Sequence, residues 1–291
     1  MPIRILFPLL ILLVAMPAQA ARYAVALSPT PVLNTPDFPA VFGGRDRTTP
    51  AADRCGQLRA VEFVALPGTL FTVEGETAVG DARILRVTTR DYPYPTKSGY
   101  YLDSRFVRIQ TDRPAERHPR LPERAEILAR LRAHKGARYV WGGNIPAGVG
   151  ALLAYYPPVK PLDREQRDIW QLRGVDCSGL LYQATDGATP RNTSALVAFG
   201  SGVPVAGKSP SAITRQLRPL DLIVWPGHVM IVLDGNEVIE SRLDCANPSD
   251  GVRIRPLQPA LEQLMTRRRP ADRLFGKGEG SFLVRRWFEH H

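Results

Sequence analysis

In the stretch Gly174-Val175-Asp176-Cys177-Ser178-Gly179-Leu180-Leu181 a turn residue leads directly into a cysteine flanked by an Asp and a Ser. The apolar residues Leu180, Leu181, Tyr182 and Ala184 follow, and such a run can bury one side of a helix. A helix beginning near Asp176 places Cys177 in its first turn, where unpaired backbone N–H groups favour a thiolate over a thiol. Helix N-termini commonly bring a cysteine into the reactive range. A lone cysteine is as a rule a buried structural residue, so the reading turns on a partner elsewhere in the chain.

That partner is His228, in Trp225-Pro226-Gly227-His228-Val229-Met230-Ile231-Val232-Leu233. Of the five histidines, His290 and His291 sit on the tail, and His118 and His134 lie in polar, Arg-rich surroundings. His228 alone opens an apolar, β-branched run of the kind that forms a strand. A Cys at a helix start facing a His on a strand is what a cysteine nucleophile needs. The imidazole takes the thiol proton and later gives a proton to the leaving amine.

Asp234-Gly235-Asn236 separates this run from a second one, residues 237–242, as a three-residue hairpin loop would. That loop pairs Leu233 with Glu237 and sets His228 opposite Arg242. Glu240 then lies on the same face as His228, diagonal to it and within reach. A two-residue loop would turn Glu240 to the other face. In the expected arrangement the Glu240 carboxylate accepts the Nδ1–H of His228, orients the ring and stabilises the imidazolium. The alternative is a solvated Glu on an edge strand.

The segments GVDCSGLL and GHVMIVLDGNEVIES resemble the two signature segments of the NlpC / P-sixty family of papain-like cell-wall peptidases. A third segment, Gly136-Ala137-Arg138-Tyr139-Val140-Trp141-Gly142-Gly143, resembles the YxWGG element of that family. The three cover roughly residues 125–245. The resemblance implies a catalytic Cys177, His228 and Glu240, the last at a position where the family usually carries His, Asn or Gln. It implies that Tyr139 lies by the cysteine and helps form the site. It also implies that Asp176 and Ser178 bind the amino terminus and backbone of short peptides, although helix capping needs the same residue types. The implied reaction is hydrolysis of γ-D-glutamyl–diamino acid bonds in peptidoglycan stem peptides, through a thioester acyl-enzyme and without a cofactor. The Cys177 N–H is the expected oxyanion donor. No HExxH or paired-Cys ligand spacing is present, so no metal is expected. Trp141 reads as a core aromatic. Thr189-Pro190-Arg191-Asn192-Thr193-Ser194 resembles a PR-x-[ST] element whose Ser and Thr cap the next helix.

Residues 1–20 read as a signal peptide: Arg4, an apolar run from Ile5 to Met16, and the small-x-small series Ala18-Gln19-Ala20. The apolar run is too short to span a bilayer, and the expectation is an exported protein of the periplasm or cell envelope with no integral membrane span. The net charge is +10 and Arg4 is the leader's only charge, so nearly all of it stays on the mature chain. Basic surfaces attract polyanions. Export argues against nucleic acid and for an anionic envelope polymer or membrane surface, the alternative being a merely basic surface; the partner that the resemblance implies is peptidoglycan or its peptide fragments. In an oxidising compartment, Cys55 and Cys245 either pair, which leaves Cys177 free, or both stay unpaired and buried.

The expected fold class is α+β, an NlpC-type catalytic domain over 123–255 preceded by a small all-β, SH3-like barrel over 21–112. The barrel reading rests on short β-rich runs with turn signals between them, and on Ser98-Gly99-Tyr100-Tyr101, which resembles a closing strand of bacterial SH3-like domains. Residues 30–52 read as a long loop. Tyr92, Tyr94, Tyr100 and Tyr101 wall one end of the cleft or pack within the barrel. Residues 113–122 read as a Pro-containing linker, and 123–134 as an amphipathic helix. Residues 144–173 form an insertion, too long for an ordinary connection, that shapes substrate access or makes a remote surface excursion. Residues 256–291 match no pattern and stand as a C-terminal extension. The same Cys–His pair would also serve an amidase or acyltransferase acting on lipid or protein, and a non-catalytic wall-binding protein is the remaining class.

Overall fold

The computed structural model describes residues 21–43, 46–245, 251–274 and 280–288. The leader reading of residues 1–20 lies outside them. No helix among the described residues is long and apolar enough to cross a membrane.

The N-terminal module is one antiparallel sheet. Its strands lie side by side in the order Val61–Ala65, Thr30–Leu33, Tyr100–Asp103, Ala82–Thr88, Leu70–Val79, Arg22–Ala26 and Val107–Gln110. In Ala82–Thr88 the residues Ala82, Ile84, Leu85 and Val87 are buried while Arg83, Arg86 and Thr88 are exposed; Ile84 and Leu85 lie on opposite faces and both are buried, so the buried side changes along the strand. Among the described residues no ladder joins the two end strands, so the closed barrel expected from the strand pattern is not formed. The reason is local. A short 3-10 turn, Ser104–Phe106, breaks the chain after Tyr100–Asp103, and the next strand pairs at the far end of the sheet, against Arg22–Ala26. Residues 30–52 are also more ordered than a loop. They contribute the interior strand Thr30–Leu33 and the helical turn Phe38–Val41, capped by Asp37, which accepts from the Ala40 N–H at 3.1 Å.

The insertion between Gly143 and Gly174 packs on this sheet and stays clear of the cleft. Val149, Leu152, Tyr156 and Trp170 are buried in the same apolar cluster as Phe38 and Phe42. Tyr156 stacks on both phenylalanines, its hydroxyl donates to Asp103 at 2.5 Å, and Trp170 Nε1–H donates to the Tyr156 carbonyl at 3.1 Å. These contacts anchor the excursion to the N-terminal module.

The second module is built on a sheet covered on both faces. Its strands run in the order Ser201–Val203, Ser281–Arg286, Leu222–Trp225, His228–Val232, Glu237–Arg242 and Gly251–Pro256, all antiparallel to their neighbours. Alternate side chains go to opposite faces. Leu222, Val224, Val229 and Ile231 meet the helices Cys177–Ala184 and Arg124–Ala133, with Ile127 and Leu131 buried one turn apart as the amphipathic pattern requires. Ile223, Met230, Val232 and Val238 meet Leu257, Ala260 and Leu261 of the helix Leu257–Met265. Residues 256–291, which the sequence sets apart as an extension, therefore supply this helix and the strand Ser281–Arg286, which lies inside the sheet. The strand pairs with partners about 60 and 80 residues upstream, which no local pattern reveals.

Two links lock the modules together. Asn144, fully buried, accepts from the Val64 N–H at 3.1 Å and donates to the Val64 carbonyl at 2.9 Å, completing the pairing of an otherwise bare strand segment. Cys55 and Cys245 form a disulfide across 190 residues, and Cys177 is the free cysteine. Replacing both bridging residues by serine should destabilise the chain by about 2–4 kcal/mol, seen as a lower denaturant midpoint. An unchanged midpoint would show that the bridge adds nothing to the docking.

Candidate active site

Cys177 is the first residue of the helix Cys177–Ala184. Its N-cap is Asp176, whose side chain accepts from the Gly179 N–H at 2.6 Å. As a first-turn residue Cys177 has no intrahelical acceptor for its own N–H, which is free to donate to a developing oxyanion. The short ladder Asn144–Ile145 with Gly174–Val175 delivers the chain to this point, and the Asp176 N–H donates to the Gly143 carbonyl at 2.9 Å. That approach depends on Gly179: a Cβ there would lie 2.1 Å from the Gly143 oxygen, far inside van der Waals contact. Gly142, at φ +69°, makes the tight turn before it.

Arg191 holds these pieces in place. Its side chain is 1% exposed, and all of its N–H donors are engaged. Nη1 donates to Asp176 Oδ1 at 2.9 Å and Ser178 Oγ at 3.1 Å. Nη2 donates to Asp176 Oδ2 at 2.7 Å and the Gly143 carbonyl at 3.1 Å, and Nε donates to Asn144 Oδ1 at 3.3 Å. Asp176 and Ser178 are thus buried and turned toward Arg191. The next residue, Asn192, is the N-cap of the helical turn Thr193–Leu196 but makes no side-chain cap, contrary to the capping expected of Ser and Thr here. Thr193 Oγ1 instead accepts from the Gly227 N–H at 3.0 Å and so ties this segment to the turn before His228. Tyr94 Oη accepts from the Asn192 N–H at 3.0 Å, and Tyr92 bonds the Asn192 side chain. These two tyrosines brace the site's frame from the N-terminal module.

The hairpin has the register read from its loop. Ile231 pairs with Ile239, Val232 with Val238, and the Leu233 N–H donates to the Glu237 carbonyl at 2.9 Å. Glu240 is therefore diagonal to His228, and the two side chains meet at 2.7 Å. The contacting nitrogen is Nε2 rather than the expected Nδ1. Strand pairing fixes only the face on which the two residues meet, and ring rotation decides which nitrogen makes the contact. With Nε2 on the carboxylate, Nδ1 is left for the sulfur. Cys177 Sγ donates to the carbonyl of Gly227, the residue just before His228, at 4.0 Å, and Cys177 is among the groups that raise the His228 pKa.

Glu240 is 2% exposed, which removes the solvated edge-strand alternative: the strand Gly251–Pro256 covers that edge. Its other oxygen, Oε1, accepts from Arg253 Nε and Arg255 Nη1, each at 3.1 Å. Burial opposes its ionisation. The hydrogen bond and charge of His228 and then the charge of Arg253 outweigh that, and its pKa falls to about 2. For His228 burial opposes protonation, but the hydrogen bond to Cys177 and then the one to Glu240 raise its pKa to about 9. The upward shift favours the imidazolium, the form that can give a proton to a leaving group.

Tyr139 lines a cavity together with His228 and Glu240. Burial, followed by the charges near Asp176 and Cys177, holds its hydroxyl well above the ordinary tyrosine range, so it remains a donor. Trp141 is not a core residue. It is 41% exposed, with the Arg59 guanidinium 4.5 Å over its ring, because its N–H is pinned to Gln57 Oε1 at 2.8 Å on the N-terminal module. The sequence reading placed Arg191 in a PR-x-[ST] element that caps the next helix and gave the arginine itself no role; its partners Asp176 and Gly143 lie 15 and 48 residues upstream.

Arg191→Ala should cost about 3–5 kcal/mol by leaving the Asp176 carboxylate buried and unpaired, and should slow alkylation of Cys177 by iodoacetamide. Unchanged melting and alkylation would contradict the role given to Arg191. For Glu240, catalytic turnover should fall in the order wild type, Glu240→Gln, Glu240→Ala, with all three folded. The Gln variant should also shift the alkaline limb of the rate profile below about pH 9, since the imidazolium loses its charged partner; equal rates and limbs would reduce Glu240 to a packing residue. The pair also sets a stability window. His228 titrates higher in the folded chain, so its contribution is complete below its ordinary 6.5 and is lost as pH rises through about 9. Glu240 titrates lower, so its contribution is complete above its ordinary 4.5 and is lost as pH falls through about 2.

No protein-family model matches the sequence, and no curated protein sequence matches it. Solved structures similar to it include two NlpC-type proteins. One is an NlpC/P60 family protein from Bacillus cereus ATCC 10987, at 15% identity and a TM-score of 0.34, matching 92% of this chain and 64% of that one. The other is NlpC2 from Trichomonas vaginalis, at 12% identity and a TM-score of 0.32, matching 92% of this chain and 73% of that one. The chain thus spans a little under two thirds of the first structure's length. What the site can do chemically rests on the geometry of Cys177, His228 and Glu240.

Proposed function

We propose that this chain is a papain-like cysteine peptidase that hydrolyses amide bonds in peptidoglycan stem peptides. The observation that carries the reading is a free cysteine at a helix start beside a histidine whose far nitrogen is held by a buried, ionised glutamate. Sγ attacks the amide carbonyl carbon, and the Cys177 N–H, with Tyr139 nearby, stabilises the oxyanion. As the C–N bond breaks, His228 passes its proton to the nitrogen and the amine leaves. Now neutral, His228 takes a proton from water, whose oxygen attacks the thioester. The acyl half leaves with a new carboxyl, and the thiolate and imidazolium are restored. Glu240 keeps the ring oriented through both halves.

The choice of substrate draws on three features. The sequence resemblance points to γ-D-glutamyl–diamino acid bonds. The basic charge suits an anionic wall polymer. The leader-like residues 1–20 and the Cys55–Cys245 disulfide fit an exported protein in an oxidising compartment. Asp176 and Ser178 keep a proposed part in substrate binding, at the start of the helix that Arg191 holds in place.

Mass spectrometry of digests of purified murein tests the reading. New amine and carboxyl ends should appear with wild type and vanish with Cys177→Ala, which should stay folded. Products in which an acyl group has moved to another acceptor would make the chain a transferase. Full activity in Cys177→Ala would remove the mechanism.

A further inference from the structure

Beside His228 lies a cavity of about 420 Å³, within the range of small-ligand sites. Its floor is apolar, with Met230, Ala260 and Leu264, and its rim carries Arg242, Arg267 and Arg268. Glu240 is the carboxylate in its lining, and both Glu240 oxygens are taken by His228, Arg253 and Arg255. Among the described residues, Arg242, Arg267 and Arg268 have no carboxylate partner. Arg268 packs its guanidinium 4.8 Å over the Trp225 ring and donates to the Ser281 carbonyl at 3.2 Å, which fixes its position without neutralising it. Arg267 sits in the turn just after the helix Leu257–Met265, exposed and next to it. Arg242 ends the strand that carries Glu240.

The cavity's position assigns it to one half of the substrate. His228 protonates the leaving nitrogen, so the leaving amine must stand beside His228. The acyl half stays over Cys177 and the helix N–H. His228 lines this cavity and Cys177 does not. We infer that Arg242, Arg267 and Arg268 form a leaving-side subsite that selects an amine carrying a free carboxylate on an aliphatic stem. The apolar floor takes the stem, and the guanidinium rim takes the carboxylate by charge-assisted hydrogen bonds. The inference rests on the peptidase reading and narrows it: the cleaved bond is one whose amine side is an acidic-ended amino acid, and amidation of that end is discriminated against.

The test uses two substrates with the same acyl half, L-alanyl-γ-D-glutamyl-L-lysine and its lysinamide counterpart. Wild type should favour the free acid in kcat/KM by about tenfold or more, the scale of one charge-assisted contact. Arg267→Gln and Arg242→Gln should each bring the acid-to-amide ratio toward one, and Arg268→Lys, which keeps the charge, should lower it less than Arg268→Gln. Melting curves check that each variant is folded. A wild-type ratio near one, or a ratio that none of the variants moves, overturns the subsite while hydrolysis itself still stands. If neither peptide is cleaved, the peptidase reading fails, and calorimetry with lysine and lysinamide decides the subsite. An arginine-dependent preference for lysine keeps it, and no preference overturns it.

Discussion

The site depends on a buried ion pair that never touches the reacting atoms. Arg191 grips both oxygens of Asp176 and also holds the Gly143 carbonyl, Asn144 and Ser178, so one guanidinium fixes the cap of the nucleophile helix and the turn before it. Burying a charge pair is costly unless every remaining donor is satisfied, and here every donor is. The same segment continues to Asn192 and Thr193, which bond Tyr94 and the turn before His228. The cysteine side and the histidine side of the site are therefore referenced to one another through residues 191–193.

The second requirement is a carboxylate kept ionised inside a sheet. Glu240 lies on an interior strand, covered by Gly251–Pro256, where an unpaired charge would be unstable. It is tolerated because it is surrounded by cations: His228 on one oxygen, Arg253 and Arg255 on the other. This arrangement explains how a glutamate can stand where a neutral amide would also orient the ring. It also leaves the neighbourhood with more positive than negative charge, in keeping with an arginine rim on the cavity that opens from His228.

Much of the site was legible because it is encoded locally. A turn residue, an Asp cap and an apolar run define the start of the Cys177 helix within a few residues. A three-residue loop fixes which face Glu240 takes, since a one-residue change would flip it. What the sequence hid was non-local. Arg191 acts on residues 143–178, which no short pattern reaches. The rotation of the His228 ring is settled by side-chain packing, so the nitrogen on Glu240 was misassigned. Trp141 looked like a core residue by its type alone, but its backbone is held against Gln57 at the surface. The strand Ser281–Arg286 is too short and too far from its partners to be placed without the sheet. The expected barrel failed for a similar reason: strand content was visible, but the pairing partner of Val107–Gln110 was not.

The account centres on an imidazolium held between Cys177 and Glu240, and a direct measurement is the titration of the His228 ring by nuclear magnetic resonance. With only five histidines in the chain, its signals can be assigned by substitution. The expected result is a His228 titration near pH 9 in the wild-type protein, with the ring charged throughout the neutral range. A titration close to the ordinary 6.5 would mean that neither neighbour holds the proton on His228, and the site described here would not be the one the protein uses.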